Sequence, residues 1–343
     1  MKPTPSTLTR GYISALFAAL TLSTTAIFIR HLTQTYGIPP LVLAYWRDVF
    51  VVLTLLPALA LLKPGLLRVK WEHWLYLAGY GLVLSFFNAL WTLSVSLNGA
   101  AVATVLVYCS AAFTALLGWR LLGERLTWGK MIAVLFSLGG CVLVAGAYDP
   151  AVWSANLGGI LAGVLSGLGY AVYSLMGRSA AQRGLNPWTT LLYTFGFAGI
   201  FLLVINLLPG SVMPEGAFST AAAGRPAELL WLGGAVEGWV VLILLAAGPT
   251  VLGFGLYNVS LSLLPSSIAN LIVTLEPAFT ALIAFFLLGE RLTAAQIAGS
   301  LVIMAGVMLL RIYEDHPEWF DRRLLRVRSP KKARPEPAVQ ADD

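Results

Sequence analysis

Residues 278–293 read AFTALIAFFLLGERLT, and residues 112–127 read AFTALLGWRLLGERLT. The two stretches lie 166 residues apart, and the same offset aligns residues 93–97 with residues 259–263 without a gap. Nearer the N-terminus the offset falls to 147, because the loop after the seventh apolar segment is 19 residues longer than its counterpart. The chain is therefore predicted to contain two homologous halves, residues 11–147 and 157–312.

The composition is typical of a membrane protein. Of the 343 residues, 58% are hydrophobic and 11% are charged, whereas about 25% of the residues of a soluble domain are charged. The apolar runs are long enough to cross the hydrocarbon core as helices, so we predict an all-α polytopic protein with ten transmembrane helices. The predicted segments are residues 11–30, 41–62, 73–95, 99–121, 128–147, 157–177, 188–208, 239–262, 265–288 and 294–312.

Lysine and arginine residues indicate the orientation in the membrane. If the N-terminus is cytoplasmic, 18 of the 22 basic residues fall in inner segments and three fall outside. Cytoplasmic loops carry such an excess, so both termini are expected in the cytoplasm and the protein in the inner (plasma) membrane. Residues 313–343 are expected to form a basic cytoplasmic tail, partly disordered, and residues 209–238 an exposed loop.

Each predicted half contains five segments, and this odd number makes the second half insert upside down relative to the first. Inverted repeats are the architecture of many secondary transporters, whose substrate site lies between the halves near the middle of the membrane. The pairs Glu124–Arg125 and Glu290–Arg291 then lie on opposite sides of the membrane. We expect both pairs to cap helices and shape loops, and to take no part in substrate binding.

These two stretches give the chain a recognisable resemblance. Five segments per half, the repeated Gly-Glu-Arg-Leu-Thr loop and the following AGSLVIMAGVMLL (residues 298–310) resemble the EamA-type repeat of the drug/metabolite transporter superfamily. The resemblance covers residues 11–312. It implies a ten-helix secondary exporter of amino acids, related metabolites or drugs. The first half departs from it with Ser110-Ala111, where the second half has Glu276-Pro277.

Several other functions find little support. The two cysteines and three histidines lie in no metal-binding spacing, so no metal or other cofactor is expected. No nucleotide-binding motif is present, and no cluster of acids or histidines suggests an intramembrane enzyme. The net charge of +6 suits an anionic lipid surface, and nucleic acid is not expected as a partner. The expected partners are a small-molecule substrate and membrane lipids, and assembly as a homodimer stays open.

Arg47, Asp48 and Glu276 are the charged residues inside predicted segments. Such residues usually face the interior of a helix bundle and mark a functional site. Arg47 could bind a substrate carboxylate while Glu276 binds an amino group or a coupling proton; alternatively, the two could form an ion pair that joins two helices. Asp48 is a second candidate proton site, and its direction on the helix, about 100° from Arg47, predicts no facing pair.

Proline and polar residues extend this candidate site. Pro277 removes an N–H group from the ninth segment, which predicts a broken helix that acts as a hinge or a simple kink. Because the first half has Ala111 at this position, the site is expected to be asymmetric. Aromatic, amide and hydroxyl side chains could line an amphipathic cavity or form hydrogen bonds between helices. These further candidates are Asn88, Trp91, Tyr108, Tyr170, Tyr257, Asn258, Asn270 and Thr274.

Glycines at positions 159, 163 and 167 predict a smooth stripe for close helix packing. Taken together, the sequence favours a secondary exporter of an amino acid or related zwitterion that works by alternating access between two inverted repeats. Efflux of lipophilic cations or drugs is the alternative, and would need the charge of Arg47 to be neutralised.

Overall fold

The computed structural model describes residues 5–124, 126–146, 148–151, 157–208, 221–288 and 293–315, and these residues form an α-helical bundle. Short 3₁₀ turns, and a π-helix over Ala246–Gly253, connect or interrupt the α-helices. The α-helices are α1 (Pro5–Leu22), α2 (Thr25–Thr35), α3 (Pro40–Leu62), α4 (Trp74–Tyr108), α5 (Ser110–Leu122), α6 (Trp128–Ala145), α7 (Leu157–Gln182), α8 (Pro187–Asn206), α9 (Val236–Leu245), α10 (Phe254–Leu263), α11 (Ser266–Val273), α12 (Glu276–Leu288) and α13 (Ala294–Asp315).

Within the described part of the chain, six helical stretches are long and apolar enough to cross a membrane, and three shorter helices are also apolar. The long stretches are Leu8–Thr35, Pro40–Leu62, Trp71–Asn98, Gly158–Gln182, Pro187–Asn206 and Val236–Leu263. The shorter ones are Leu106–Leu122, Trp128–Leu143 and Ile297–Leu310. The chain is therefore an all-helical, multi-pass membrane protein.

Helix α4 is continuous in its hydrogen bonding but does not run straight. A methyl group built on Gly163 of α7 would lie 2.6 Å from Cβ of Leu106 and 2.8 Å from Oγ of Ser94. Twelve residues of straight helix measure about 18 Å, so the chain must turn back between Ser94 and Leu106. The predicted separation of the third and fourth segments corresponds to this turn.

The principal helix pairs each join one half of the sequence to the other. Helix α4 packs against α7 and α8, α3 packs against α8, α6 against α13, and α1 against α10. The glycine stripe of α7 makes one of these contacts possible, because added side chains at Gly163 and Gly167 would meet Leu106 and the α4 backbone. The stripe packs as its spacing predicts, and the space between the halves lies at the centre of the bundle.

Four helical segments are interrupted near this central space. Residues 23–24 separate α1 from α2, Cys109 separates α4 from α5, and residues 274–275 separate α11 from α12. The π-helix, which contains Pro249, separates α9 from α10. By the 166-residue offset, Cys109 corresponds to Leu275, so the first half is interrupted at the matching position, where it has no proline.

The predicted exposed loop is partly packed against the helices. Ala221 and Ala223 are buried, and Asn206 at the end of α8 accepts a hydrogen bond from the backbone N–H of Ala223. The indole of Trp46 donates to the carbonyl of Leu229. The described part of this loop therefore caps the bundle, because its alanines and its carbonyl groups find partners there. Residues 209–220 and the predicted tail beyond residue 315 lie outside the described residues.

Candidate functional site

A cavity lies where the helix interruptions meet. It is narrow, about 30 Å³, which is room for about two water molecules. Its lining comes from both halves of the sequence, and each interruption contributes a residue at or near one of its ends. The lining residues are Leu22, Thr25, Arg47, Phe87, Asn88, Trp91, Val107, Tyr108, Tyr170, Phe254 and Glu276.

Arg47 is the most unusual residue of this cavity. Its side chain is 1% exposed, and its Nε and Nη2 atoms have no hydrogen-bond acceptor among the described residues. Its guanidinium carbon lies 5.8 Å from the ring centre of Trp91, within the range of a cation–π interaction. A buried N–H without an acceptor is unfavourable. The guanidinium can therefore donate a hydrogen bond to an acceptor that enters the cavity.

Asp48 lies behind Arg47, and one expectation about it was wrong. Its Oδ1 atom is 3.7 Å from Nε of Arg47, so the long arginine side chain folds back to a neighbour that points elsewhere on the helix. Asn88 donates from its amide to both carboxylate oxygens of Asp48, at 2.9 and 3.1 Å. Among the described residues, Arg47 forms its ion pair with Asp48 and none with Glu276.

Glu276 and Tyr108 face each other across the junction of the halves. Glu276 begins α12 and Tyr108 ends α4, and the tyrosine hydroxyl donates to Oε2 of Glu276 at 2.5 Å. The carboxylate is 7% exposed. Arg47 and Glu276 thus present a cationic and an anionic group to the same cavity without neutralising each other.

Aromatic rings form the apolar wall of the cavity. Phe87 stacks on Tyr170 with ring centres 5.0 Å apart, and Phe254 lies 6.4 Å from Phe87. Sequence reasoning did not select Phe87, Phe254, Leu22, Thr25 or Val107, because apolar residues of a membrane helix carry no mark that separates a cavity wall from a lipid face. Thr25 could have been found from the polar run Ser23-Thr24-Thr25 inside an apolar segment.

Six of the ten residues predicted to bind substrate therefore line the cavity, and the other four do not. Asn258 is hydrogen-bonded to the hydroxyl of Tyr173, and Thr274 donates to Leu271 and to Ser137. Asn270 contacts Tyr257, whose hydroxyl is 2.6 Å from Oγ of Ser174. The direct role predicted for Tyr257, Asn258, Asn270 and Thr274 is not supported by this placement, because their polar atoms are already used between helices.

Pro277 occupies the first turn of α12, where a helix needs no N–H from it. The helix break itself precedes it, at Thr274 and Leu275, whose N–H groups bond back to α11. The proline thus begins the second half-helix, and it holds Glu276 at the helix start beside the cavity.

Glu124 of the first Glu-Arg pair joins two segments that are far apart in the sequence. The carboxylate of Glu124 accepts hydrogen bonds from the backbone N–H of Ser266 at 2.7 Å and of Ser267 at 3.2 Å, and from both hydroxyl groups. Nζ of Lys130 donates to Oγ of Ser267. We call Glu124, Lys130, Ser266 and Ser267 the Glu124 clasp. Arg125 and the second pair, Glu290–Arg291, lie outside the described residues.

The carboxyl group of Glu124 in the clasp is ionised at neutral pH. Burial alone would raise the pKa of Glu124, but the hydrogen bonds from Ser266 and Ser267, with the charge of Lys130, hold that pKa below its ordinary value. A group with a lowered pKa contributes stability above its unfolded-state pKa and loses it as the pH falls through the folded-state pKa. The clasp therefore weakens only in strongly acidic solution.

Comparison with known proteins adds the family context. Residues 9–146 and 157–312 match the model of the EamA-like transporter family. A threonine/homoserine exporter of Salmonella typhimurium (strain SL1344) is 28% identical over 254 residues, which cover 73% of this chain and 75% of that protein. A probable terminal-alkyne amino-acid exporter of Streptantibioticus cattleyicolor is 26% identical over 62% of this chain and 64% of its own.

Two further comparisons extend the same result. An uncharacterized transporter of Archaeoglobus fulgidus is 26% identical over 61% of this chain and 66% of its own length. The crystal structure of another protein aligns with a TM-score of 0.65 at 19% identity, over 87% of this chain and 94% of that one. This structural likeness concerns the fold alone.

Proposed function

The chain belongs to the EamA-like transporter family, and from that premise we propose that it is a secondary transporter that exports an amino acid or a related zwitterion. The observation that carries the proposal is the buried guanidinium of Arg47, a lining residue of the cavity whose Nε and Nη2 atoms have no hydrogen-bond acceptor among the described residues. A substrate carboxylate supplies two acceptor oxygens in the geometry that a guanidinium prefers.

The opposite end of the substrate is assigned to Glu276. Its carboxylate lies on the other half of the chain and accepts from Tyr108, and a protonated amino group of the substrate adds an ionic hydrogen bond there. A zwitterion would then join the two halves through one molecule. Glu276 and Asp48 are also the candidate groups for a coupling proton, since each can exchange a proton for the charge of a bound substrate.

We further assign ten membrane crossings in two inverted repeats, 11–147 and 157–312. The six long apolar stretches, the three shorter ones and the interrupted segment formed by α11 and α12 together count ten. The family model matches in two separate stretches of similar length. The distribution of basic residues supports cytoplasmic termini and the inner membrane.

Alternating access follows from this arrangement. The cavity holds about two water molecules, so it must widen to admit an amino acid. Residues of both halves meet at the cavity, and the half-helices on either side of each interruption can tilt separately. Movement of one repeat against the other would open the cavity first to one side of the membrane and then to the other.

The names of two relatives favour amino acids over other metabolites. One is a threonine/homoserine exporter and the other a probable terminal-alkyne amino-acid exporter. Asp48, 3.7 Å from Arg47, favours the alternative function instead. If Asp48 neutralises Arg47, the remaining charge of the cavity is that of Glu276, and the aromatic wall would suit a lipophilic cation.

An export assay in cells tests both functions. The protein is expressed in a bacterial host that lacks its own amino-acid exporters, and the cells are challenged with toxic amino acids, dipeptides and cationic dyes. Resistance and lowered accumulation confined to amino acids, and lost in Arg47→Ala, support the proposal. A response to dyes alone overturns it in favour of cation efflux. Protein content of the membrane fraction is measured for each variant.

A further inference from the structure

Two neighbouring half-helices are fastened together at both ends. Helix α5 runs from the cavity toward the Glu124 loop, and α11 runs back from Ser266 to the cavity, so the pair is antiparallel. The Glu124 clasp joins them at one end. At the cavity end, the hydroxyl of Ser110 on α5 donates to Oδ1 of Asn270 on α11, and Tyr108, just before α5, donates to Glu276, just after α11.

The corner just before α11 is also held from its other side. Nη1 of Arg178 donates to the carbonyl groups of Leu261 and Ser262, each at 3.1 Å, at the end of α10. A cation therefore bonds the last carbonyls of α10, and the Glu124 carboxylate bonds the first N–H groups of α11. Both arrangements complement the helix dipoles, and they fix the turn at Leu264 and Pro265.

The clasp depends on residues that the repeat-related positions around Glu290 do not carry. By the 166-residue offset, Ser266 and Ser267 correspond to Ala100 and Ala101, and Lys130 corresponds to Gln296. Gly118, whose added Cβ would lie 3.0 Å from Oε2 of Glu124, corresponds to Ala284. Glu290 repeats the carboxylate, but its matching positions carry neither the hydroxyl donors nor the lysine nor the glycine.

Resting on the proposed function and orientation, we propose that the Glu124 clasp is a one-sided latch that holds the cytoplasmic end of the transport pathway closed. It must release in each cycle before α11 can move away from α5, and the matching sequence positions at the outer end lack its hydroxyl donors and its lysine. The unloaded transporter therefore rests with its cytoplasmic end closed more often than its outer end.

The lowered pKa of Glu124 agrees with this role, because the latch keeps its charge at cytoplasmic pH. Its release then depends on helix movement and not on proton uptake. Glu124 acts as a positioning residue, since it contacts helix ends and has no atom in the cavity lining.

Cysteine labelling in membrane vesicles tests the latch without any substrate. In a background carrying Cys109→Ala and Cys141→Ala, single reporters are placed by Ala269→Cys on α11 and Ala26→Cys on α2, both at fully buried alanines. We expect Glu124→Gln to raise the maleimide labelling rate at position 269 by about tenfold, the effect of weakening one charged hydrogen bond. We expect labelling at position 26 to fall in the same variant.

The opposite changes at the two reporters separate a latch from general loosening. Glu290→Gln, the same substitution in the same motif of the other half, is the matched control and is expected to change neither rate. If Glu124→Gln folds poorly, Ser266→Ala combined with Ser267→Ala removes the hydroxyl donors and keeps the backbone N–H groups. Equal increases at both reporters, no change at either, or the same response from Glu290→Gln would each overturn the proposal.

Failure of the latch is distinguishable from failure of the proposed function. The labelling rates report which end of the protein is open, and they do so in the absence of any amino acid. If the labelling rates change as expected but the protein exports no amino acid, the latch is supported and the proposed substrate is rejected. If the protein exports amino acids but the two reporters do not change in opposite directions, the latch alone is rejected.

Discussion

Replacement of Arg47 by methionine is the perturbation with the largest expected effect on substrate binding. Methionine keeps much of the length of the side chain and removes the charge. Among the described residues, Nε and Nη2 of the wild-type guanidinium have no hydrogen-bond acceptor, and a hydrogen bond to a charged group contributes about 1.5–3 kcal/mol. Two bonds at the lower end of that range give about 3 kcal/mol, on the order of a 100-fold difference in Kd.

The assay compares two ligands that differ in the carboxylate alone. Threonine and threoninol are the first probes, and their binding to purified protein is measured by calorimetry. Wild-type protein is expected to prefer threonine on the order of 100-fold, and Arg47→Met is expected to lose this preference. Arg47→Lys, which keeps one point charge but not the planar pair of donors, should show an intermediate preference.

Asp48 requires a control, because Arg47→Met leaves this buried carboxylate without its cation. The double variant with Asp48→Asn removes both charges and keeps one acceptor oxygen for the amide of Asn88. Its thermal unfolding should resemble that of the wild type more closely than the single variant does. Equal weakening of threonine and threoninol binding in a well-folded double variant would refute the assignment of Arg47 to the carboxylate.

Three further predictions concern the cavity and the packing around it. Glu276→Gln should flatten the pH dependence of the initial transport rate in vesicles, and an unchanged profile would remove Glu276 as the proton site. Trp91→Leu should weaken substrate binding roughly two- to fivefold through loss of the cation–π contact, measured by the same calorimetry. Gly163→Ala should lower the melting temperature because its methyl group meets Leu106 at 2.6 Å, whereas Gly139→Ala, which meets no atom within 4 Å, should raise it.

Sequence reasoning located much of the site because buried charge is rare in a membrane helix. Arg47, Asp48 and Glu276 stand out in an apolar background, and the internal repeat placed them between two halves. The same reasoning could not tell Asn270 from Asn88. Both are buried amides that bond other side chains, and only the packing of the neighbouring helices decides which of them also lines the cavity.

Helix interruptions were harder to predict than charges. Pro277 marked one break through its missing N–H group, but the break at Cys109 has no such signal, because no proline lies near it. The partners of Glu124 were also beyond prediction. Ser266 lies 142 residues along the chain, and a repeated motif suggests equal roles for two glutamates that only the surrounding residues can separate.

The pairing of Arg47 with its immediate neighbour has a consequence for movement. Both charges belong to helix α3 and stay 3.7 Å apart wherever that helix goes, so the arginine travels with its own counterion. An ion pair between two helices would have to be pulled apart at every opening, at an expense of several kcal/mol in a medium without water. With the pair confined to one helix, the electrostatic energy of the empty transporter changes little when one half moves against the other. The rate of that movement then depends mainly on the close packing contacts between helices.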